Sequence, residues 1–414
     1  MTGETAPASR IATLDAVRGF AVMGILLLNI VDMGMPGYAY IDPNFYGGAE
    51  GANWWTWATV YVLFDGKMRG LFTMMFGAST LLIAERAAAK GESPAYVHFS
   101  RMAALFVIGM VHAYLIWSGD ILVLYSLCGA AMFFAWRLST KTLLLITMTL
   151  MLGKLAFGLT SYGYLHDLER RAALPNAPAA TVKEWTDFST QATPSVSTVP
   201  EELAAYRGTW LETQRARAAF TVVMQTVISP LSIPDTLALI AFGMALFRSG
   251  FFSGEWARRD YWRVVLAGFG ITVPLYIPLV MWIQATSFSA ITLSATEAIH
   301  LTLLRPLLSM AWASLVILFV TSGLLSPLAT RLAAAGRMAF SNYLGTSILT
   351  TTFFYGYGFG WFGYLLRIEL YWVVLAVWAI ILLWSKPWLD RFRYGPFEWL
   401  WRSLARGTWQ PMKK

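Results

Sequence analysis

The sequence is poor in the residue types on which soluble enzymes and disulfide-rich proteins depend. Its 414 residues include one cysteine, Cys128, and four histidines. A single cysteine excludes a disulfide framework within the chain. Charged residues make up 13% of the chain, whereas soluble domains carry about 25%. No P-loop, HExxH motif or paired CxxC occurs, so the sequence supports neither a soluble ATPase nor a zinc protease, and no metal site is predicted.

The sequence is instead rich in long hydrophobic runs. Hydrophobic residues account for 57% of it, and its 19 tryptophans suit aromatic belts at two membrane surfaces. A membrane span needs roughly 20 apolar residues. The predicted fold is therefore an all-α, polytopic helical bundle with about ten transmembrane helices. The expected spans are Leu14–Met33, Trp57–Ala84, Phe99–Trp117, Ile121–Trp136, Thr142–Tyr162, Phe220–Phe247, Tyr261–Gln284, His300–Leu324, Met338–Tyr357 and Leu366–Trp384.

The distribution of Lys and Arg predicts the orientation. The net charge of +8 does not indicate nucleic-acid binding, because the basic residues cluster in short loops between apolar runs. Basic loops alternate with short loops that lack Lys and Arg along all ten predicted spans, which places the basic loops and both termini in the cytoplasm. The expected location is a bacterial cytoplasmic (inner) membrane, with membrane lipids as partners. The basic segments are Arg86–Arg101, Arg137–Lys141, Arg248–Arg263, Arg331–Arg337 and the tail after Lys386.

The spans group into four predicted segments. They are an N-terminal five-helix bundle (1–162), an extracytoplasmic loop (163–217), a C-terminal five-helix bundle (218–386) and a cytoplasmic tail (387–414).

Two of these segments are not spans. In the loop, Thr198 and Glu201 have capping-box spacing before a helix expected at Leu203–Phe220. The loop is either a lid over an outward cavity or a plain connector. The tail alternates aromatic residues with arginine, which is typical of a helix in the headgroup region.

Polar residues inside spans are costly and are therefore the candidate functional residues. In the first span, Asp15 and Arg18 are spaced to pair on one helix face, and Asn29 follows about three turns later. The pair serves either substrate binding or helix packing. In the second span, Asp65, Lys67 and Arg69 place three charges within five residues, and Asp65 and Arg69 have the spacing of an ion pair. Three charges this close indicate a polar cavity rather than a lipid-facing surface.

The third and fourth spans supply a candidate acid–base pair. His112 lies one and a half turns before a short hairpin that contains Asp120, and Tyr125 follows. Histidine is the usual proton-transfer residue near neutral pH, and a carboxylate can orient it. The pair is either catalytic or a hydrogen-bonded packing contact. Two other histidines, His166 and His300, are expected to be solvated. The further candidates for substrate binding are Arg305, Arg337, Asn342, Arg367 and Glu369.

Five sequence stretches resemble a known family. They are LDAVRGFA (14–21, preceded by Arg10 and Ile11), FDGKMR (64–69), GMVHA with WSGDIL (109–122), GRMA (336–339) and GPFEWLWR (395–402). They span nearly the whole chain and resemble the YeiB-like family, whose members carry a C-terminal domain of unknown function, number 418.

That family is similar to membrane acyltransferases of the heparan-alpha-glucosaminide N-acetyltransferase and acyltransferase-3 types. The resemblance implies acetyl-CoA or another acyl-CoA as donor, and a glycan or small-molecule acceptor outside the cytoplasm. Asn29 resembles the asparagine that ends the matching helix of the heparan-type enzymes. Acyltransferase-3 enzymes have a histidine near this point, and heparan-type enzymes use one soon after it, but residues 34–56 contain none. His112 is then the candidate base.

The expected mechanism follows from these assignments. Basic loops and Arg18 or Arg337 would meet the phosphates of a cytoplasmic acyl thioester. His112, oriented by Asp120, would take a proton from the acceptor, while Asn29 and Arg69 would stabilise the carbonyl oxygen.

Two other functions are compatible with the sequence, which also leaves a homodimer open. Intramembrane charges mark the paths of transporters and lipid flippases equally well. In that case, Pro230 and Pro234, with Pro274 and Pro278, would break two helices around a midplane site. The third alternative is a non-catalytic protein of the cell envelope.

Overall fold

The computed structural model describes residues 12–414, a range in which the chain is helical and forms no β-strand. Arg10 and Ile11, which precede the first sequence motif, lie outside this range. The α-helices are α1 (Ala12–Gly34), α2 (Gly51–Leu63), α3 (Lys67–Ala89), α4 (Pro94–Leu115), α5 (Leu122–Met132), α6 (Thr140–Ala172), α7 (Ala179–Ala192), α8 (Val199–Arg207), α9 (Trp210–Val223), α10 (Ser229–Leu231), α11 (Ile233–Arg248), α12 (Arg258–Ala285), α13 (Ala290–Ile299), α14 (Arg305–Thr321), α15 (Ser326–Arg337), α16 (Ala339–Phe354), α17 (Leu370–Arg391) and α18 (Pro396–Arg406).

Seven helical stretches in the described part of the chain are long and apolar enough to cross a membrane. A bent pair, Trp210–Leu231 with Ile233–Arg248, makes an eighth if it is one span. The other two predicted spans correspond to shorter helices, α5 and the 16-residue α16. The prediction of a helical membrane protein is confirmed, while the count of ten and the cytoplasmic termini stay predictions. The seven stretches are Ala12–Gly34, Gly51–Ala89, Pro94–Leu115, Thr140–Ala172, Arg258–Ala285, Ala290–Thr321 and Leu370–Arg391.

Helix α1 lies at the centre of the bundle. It packs against α3, α14, α15, α16 and α17, so the first helix is surrounded by elements from both halves of the sequence. Its contact with α15 is a backbone contact between small residues. A Cβ at Gly19 would lie 2.1 Å from the carbonyl oxygen of Leu332, and one at Gly336 would lie 1.7 Å from that of Asp15. Close packing of this kind is the usual way in which membrane helices associate.

The second predicted span is interrupted in its middle. Helix α2 ends at Leu63 and α3 begins at Lys67, with Gly66 between them in the left-handed region at φ +65°. An i,i+4 spacing brings side chains together only within a continuous helix. The predicted pairing of Asp65 with Arg69 is therefore wrong, and Arg69 pairs instead with Asp235, as described below.

The predicted loop 163–217 is largely helical. Helix α6 extends to Ala172, and α7, α8 and most of α9 follow. The predicted capping box at Thr198 is wrong, because this residue already has helical dihedral angles and its hydroxyl donates to Ser195 O. Thr209 and Glu212 form the capping box, at the start of α9. The segment is tied to the end of α1, since Glu202 accepts the backbone N–H of Gly37 at 2.8 Å.

The bend before α11 matches one pair of predicted helix breaks. The axis turns by 60° between Leu231 and Ile233, where Pro230 and Pro234 interrupt the backbone hydrogen bonds. The second predicted break is wrong, because α12 continues through Pro274 and Pro278.

The C-terminal tail forms the expected helix, α18, which packs against α4 and α16. Glu398 caps α16, since its carboxylate accepts the N–H groups of Phe340 (2.8 Å) and Ser341 (3.0 Å) and the Ser341 hydroxyl. Burial raises the pKa of this carboxyl, and the hydrogen bonds oppose the rise. Trp401 adds a hydrogen bond from Nε1 to Arg101 O at 2.8 Å. The tail is thus joined to the bundle by specific contacts.

Gly336→Ala should destabilise the protein by about 1–3 kcal/mol, the usual cost of overpacking, because the added methyl group meets the α1 backbone. The measurement is the thermal unfolding midpoint in detergent. Gly345→Ala in α16 is the matched control, since no atom lies within 4 Å of a Cβ there. Equal midpoints for the two variants would contradict the described α1–α15 contact.

Glu398→Ala should release α18, whereas Glu398→Gln should keep it docked, because the amide oxygen still accepts the two backbone N–H groups. Hydrogen exchange of the amides in 396–406 measures this. Faster exchange is expected in the alanine variant only. Unchanged exchange in that variant would show that the cap does not hold the tail.

Candidate functional site

Asp235, in the first turn of α11, is the centre of a buried charge cluster. Its carboxylate is 2.5 Å from Lys154 Nζ, 2.9 Å from Arg305 Nη2 and 3.8 Å from Arg69 Nη2. The four side chains come from α11, α6, α14 and α3, so the cluster joins helices that are distant in sequence. We refer to Asp235, Lys154, Arg305 and Arg69 as the charge cluster.

The charge cluster is unusual because cations outnumber anions within it. Three positive side chains face one carboxylate, and Arg305 is 0% exposed. Isolated charges are expensive in a low-dielectric interior, so a shared carboxylate stabilises all three cations. The helices reach each other by close packing, since a Cβ at Gly243 of α11 would lie 2.0 Å from Met74 O of α3.

Lys67 and His300 belong to a second polar group beside the charge cluster. Lys67 Nζ donates to Tyr61 O at 2.6 Å and lies 4.1 Å from the centroid of the Tyr276 ring. The Tyr276 hydroxyl is 2.8 Å from His300 Nδ1. The expectation that His300 is solvated is wrong, because it is 3% exposed. His166 is exposed, as expected.

The structure brings His112 and Asp120 together. His112 Nδ1 lies 2.7 Å from Asp120 Oδ1, and the other carboxylate oxygen accepts the N–H of Val123 at 2.9 Å. A carboxylate only accepts hydrogen bonds, so a neutral His112 carries its proton on Nδ1 and the lone pair on Nε2. Nε2 is buried and has no hydrogen-bond partner in the described chain. The histidine is thus oriented, with its basic nitrogen unoccupied by protein.

Two tyrosines lie between the histidine pair and the charge cluster. The Tyr343 ring centroid is 5.3 Å from that of His112, and its hydroxyl accepts the N–H of Ile121 at 3.4 Å. Tyr125 contacts Thr73 at 2.6 Å and Arg69 O at 3.4 Å through its hydroxyl. The two polar centres therefore belong to one continuous region of the bundle.

Tyr40, in the segment between α1 and α2, is accessible to solvent beside this region. Tyr40 is 38% exposed, yet burial raises the pKa of its hydroxyl well above the usual value. Asp65, Asp32 and Glu297 add to that rise in the Tyr40 pKa, and Arg69 opposes it. Tyr40 thus combines an accessible side chain with charged neighbours from several helices.

The remaining predicted residues lie elsewhere. Arg18 pairs with Asp15 at 3.1 Å and donates to Ser79 Oγ at 2.8 Å. Asn29 is half-buried in α1 and makes no side-chain hydrogen bond within the described range. Arg337 ends α15.

Three further candidates hold the backbone in place. Asn342 Nδ2 donates to Ala335 O at 2.9 Å. Arg367 Nη2 donates to Ala39 O at 2.6 Å. Glu369 accepts the N–H of Leu366 at 2.7 Å.

Sequence reasoning missed several members of the site. Lys154 stands alone in a long apolar run, and Asp235 follows Pro234 in another. Because charges inside membrane spans are functional candidates, the sequence was sufficient to select both residues. Asp32 and Glu297 lie close to helix ends, where a charge is unremarkable. Asp32 accepts a hydrogen bond from Trp117 Nε1 at 2.7 Å.

Long apolar helices around buried ion pairs define a polytopic helical membrane protein. The chain belongs to the YeiB-like family. It is 32% identical to "Uncharacterized protein YeiB" of Escherichia coli (strain K12), over 96% of each chain. It is 29% identical to "Uncharacterized protein YxaH" of Bacillus subtilis (strain 168), over 98% of this chain and 96% of the relative. The family model described as "Protein of unknown function (DUF418)" matches residues 246–408. No solved structure matches the chain significantly.

Asp235→Asn should destabilise the protein by about 3–5 kcal/mol, because removal of one partner leaves buried charges uncompensated. Adding Lys154→Met should restore part of the loss by removing one unpaired cation. Thermal unfolding of the single and double variants measures both effects. A single variant as stable as the wild type would show that Asp235 does not neutralise the charge cluster.

Proposed function

We propose that this protein is a membrane acyltransferase that moves an acyl group from a cytoplasmic acyl-CoA to a hydroxyl or amine on an extracytoplasmic glycan or small molecule. The observation that carries the proposal is the His112–Asp120 contact of 2.7 Å together with the unoccupied, buried Nε2. Nδ1 bound to a carboxylate and Nε2 left for the substrate is the arrangement of a general base.

The proposed reaction forms one bond and breaks one bond. His112 Nε2 takes the proton of the acceptor hydroxyl or amine as the acceptor attacks the thioester carbonyl. The carbon–sulfur bond breaks, and the departing thiolate takes the proton from His112 Nε2 to become free CoA thiol, which returns the histidine to its neutral form. Asp120 stabilises the protonated imidazole. Arg69 is held by Asp235 in the charge cluster, which leaves Asn29 as the candidate donor to the carbonyl oxygen.

The opposite end of α1 suits the donor. Gly336 packs against the backbone of Asp15, so Arg337 lies next to the helical turn that holds Arg18. Two arginines at one helix end can bind the phosphates of CoA. Asp32 marks the depth of the histidine along α1, because it binds Trp117 beside His112. At a rise of 1.5 Å per residue, Arg18 and Asp32 are roughly 21 Å apart along the helix. A long, flexible donor such as the pantetheine arm of CoA is needed to cover that distance.

The proposed location is the cytoplasmic membrane of a bacterium, with both termini inside. The alternation of basic loops with loops that lack Lys and Arg supports the orientation. The bacterial relatives support the cellular origin.

Replacement of His112 is the direct test. In vesicles supplied with radiolabelled acetyl-CoA, His112→Ala should lower acyl transfer by about 10²- to 10⁴-fold, the usual contribution of a general base. Asp120→Asn should lower it less and alter its pH profile, because the imidazole loses its orienting charge. His166→Ala, at an exposed position, is the matched control and should keep full transfer.

The outcome depends on folded protein, so each variant is first checked by size-exclusion chromatography and thermal unfolding. Undiminished transfer by a folded His112→Ala variant would rule out His112 as the base.

Transport is the second candidate function, and the bent helix favours it. The 60° bend before α11 places a helix break directly before Asp235 in the charge cluster, as in transporters that bind solutes at broken helices. Mass spectrometry of co-purified ligands separates the two functions. An acyl-CoA or its free thiol supports the enzyme. A solute that exchanges across vesicle membranes without chemical change supports the transporter.

A further inference from the structure

Arg305 carries hydrogen-bond donors that the described protein does not satisfy. Its Nη2 donates to Asp235 at 2.9 Å, but Nε and Nη1 are buried without a partner. The side chain is 0% exposed, so bulk water does not satisfy these donors either. Buried polar groups are almost always paired, and an unpaired donor costs about 1–3 kcal/mol. A group that accepts hydrogen bonds from Arg305 would remove this cost.

The neighbouring cations make the location suitable for an anion. Arg69 and Arg305 approach the same oxygen of Asp235, so their guanidinium groups lie close to each other at one end of the carboxylate. Arg69 is 31% exposed and is one of the charges that act on Tyr40, whose side chain is also accessible. The arginine pair is therefore reachable from solvent through Arg69. Two adjacent guanidinium groups match the geometry of carboxylate and phosphate oxygens.

The acidic residues nearby do not fill this role. Asp65 and Glu297 also act on Tyr40 and reduce the positive field of the charge cluster. Neither forms an ion pair with Arg69 or Arg305 within the described range, where the paired carboxylate is Asp235. The positive field is reduced, but the donors of Arg305 stay unsatisfied.

We propose that Arg305 and Arg69, with Lys154 beside them, bind an oxyanion, a carboxylate or a phosphate. In the proposed acyltransferase function, that oxyanion is part of the acceptor. This assignment of the oxyanion to a substrate rests on the proposed function. The acceptor would then carry a negatively charged group at the charge cluster and its hydroxyl or amine at His112, with Tyr125 and Tyr343 between them. The substrate class is an anionic acceptor, either soluble or the headgroup of an acidic lipid.

The test measures binding without any acyl transfer. Delipidated protein in a neutral detergent is titrated with inorganic phosphate and, separately, with acetate, at constant ionic strength set by chloride. A ligand that binds the folded state raises the thermal unfolding midpoint in a saturable way. We expect such a rise for at least one of the two oxyanions.

Variants assign the binding to the arginines. Arg69→Gln leaves Asp235 paired with Arg305 and Lys154, so the protein should fold, and its apparent affinity for the oxyanion should fall at least tenfold. Arg305→Lys keeps the charge but loses the two-pronged geometry, and should weaken binding similarly. Arg217→Lys is the control. Arg217 is equally buried and also has an unpaired Nη2, but it donates to the carbonyl oxygens of Tyr114 and Ile116 and lies outside the charge cluster.

The results separate this proposal from the enzyme proposal. An unsaturable rise, or an equal rise in Arg69→Gln and the wild type, overturns the anion site whatever His112 does. Loss of the phosphate effect after reconstitution with phosphatidylglycerol, but not with phosphatidylcholine, supports a lipid headgroup. A phosphate effect that persists in both lipids supports a soluble acceptor.

Discussion

The cost of burying charge in a membrane-spanning bundle determines how these helices are arranged. Asp235 is the shared partner of cations from α3, α6 and α14. In a medium of low dielectric constant, each of those cations needs a nearby anion. One carboxylate at the start of α11 thus fixes the relative positions of four helices, and the close backbone contact of α3 with α11 brings it within reach.

The histidine pair depends on a different constraint, which is the short hairpin between α4 and α5. His112 lies in the last turn of α4 and Asp120 precedes α5, so the connection itself brings them within 2.7 Å. The Val123 N–H fixes the second carboxylate oxygen. Tyr343 from α16 packs beside the histidine, and α1 packs against α16. A local pair is thereby packed against a helix, α16, that itself contacts the central helix α1.

The sequence was sufficient for the class of fold and for local contacts, but not for contacts between distant helices. Span length and composition predicted a helical membrane protein, and the spacing of Asp15 with Arg18 and of His112 with Asp120 predicted two contacts that the structure contains. The predicted pairing of Asp65 with Arg69 is wrong because Gly66 interrupts the continuous helix that an i,i+4 contact requires. The charge cluster could not be predicted, because helix spacing says nothing about which of the other helices faces Asp235.

The central claim is that His112 Nε2 meets an acyl group delivered along α1 from the cytoplasm. An experimental structure of the protein in lipid nanodiscs with a non-hydrolysable acyl-CoA analogue tests it most directly. We expect phosphate density at Arg18 and Arg337 and the acyl carbon within contact distance of His112 Nε2. Analogue density absent from the cytoplasmic end, or an acyl group remote from His112, would contradict it.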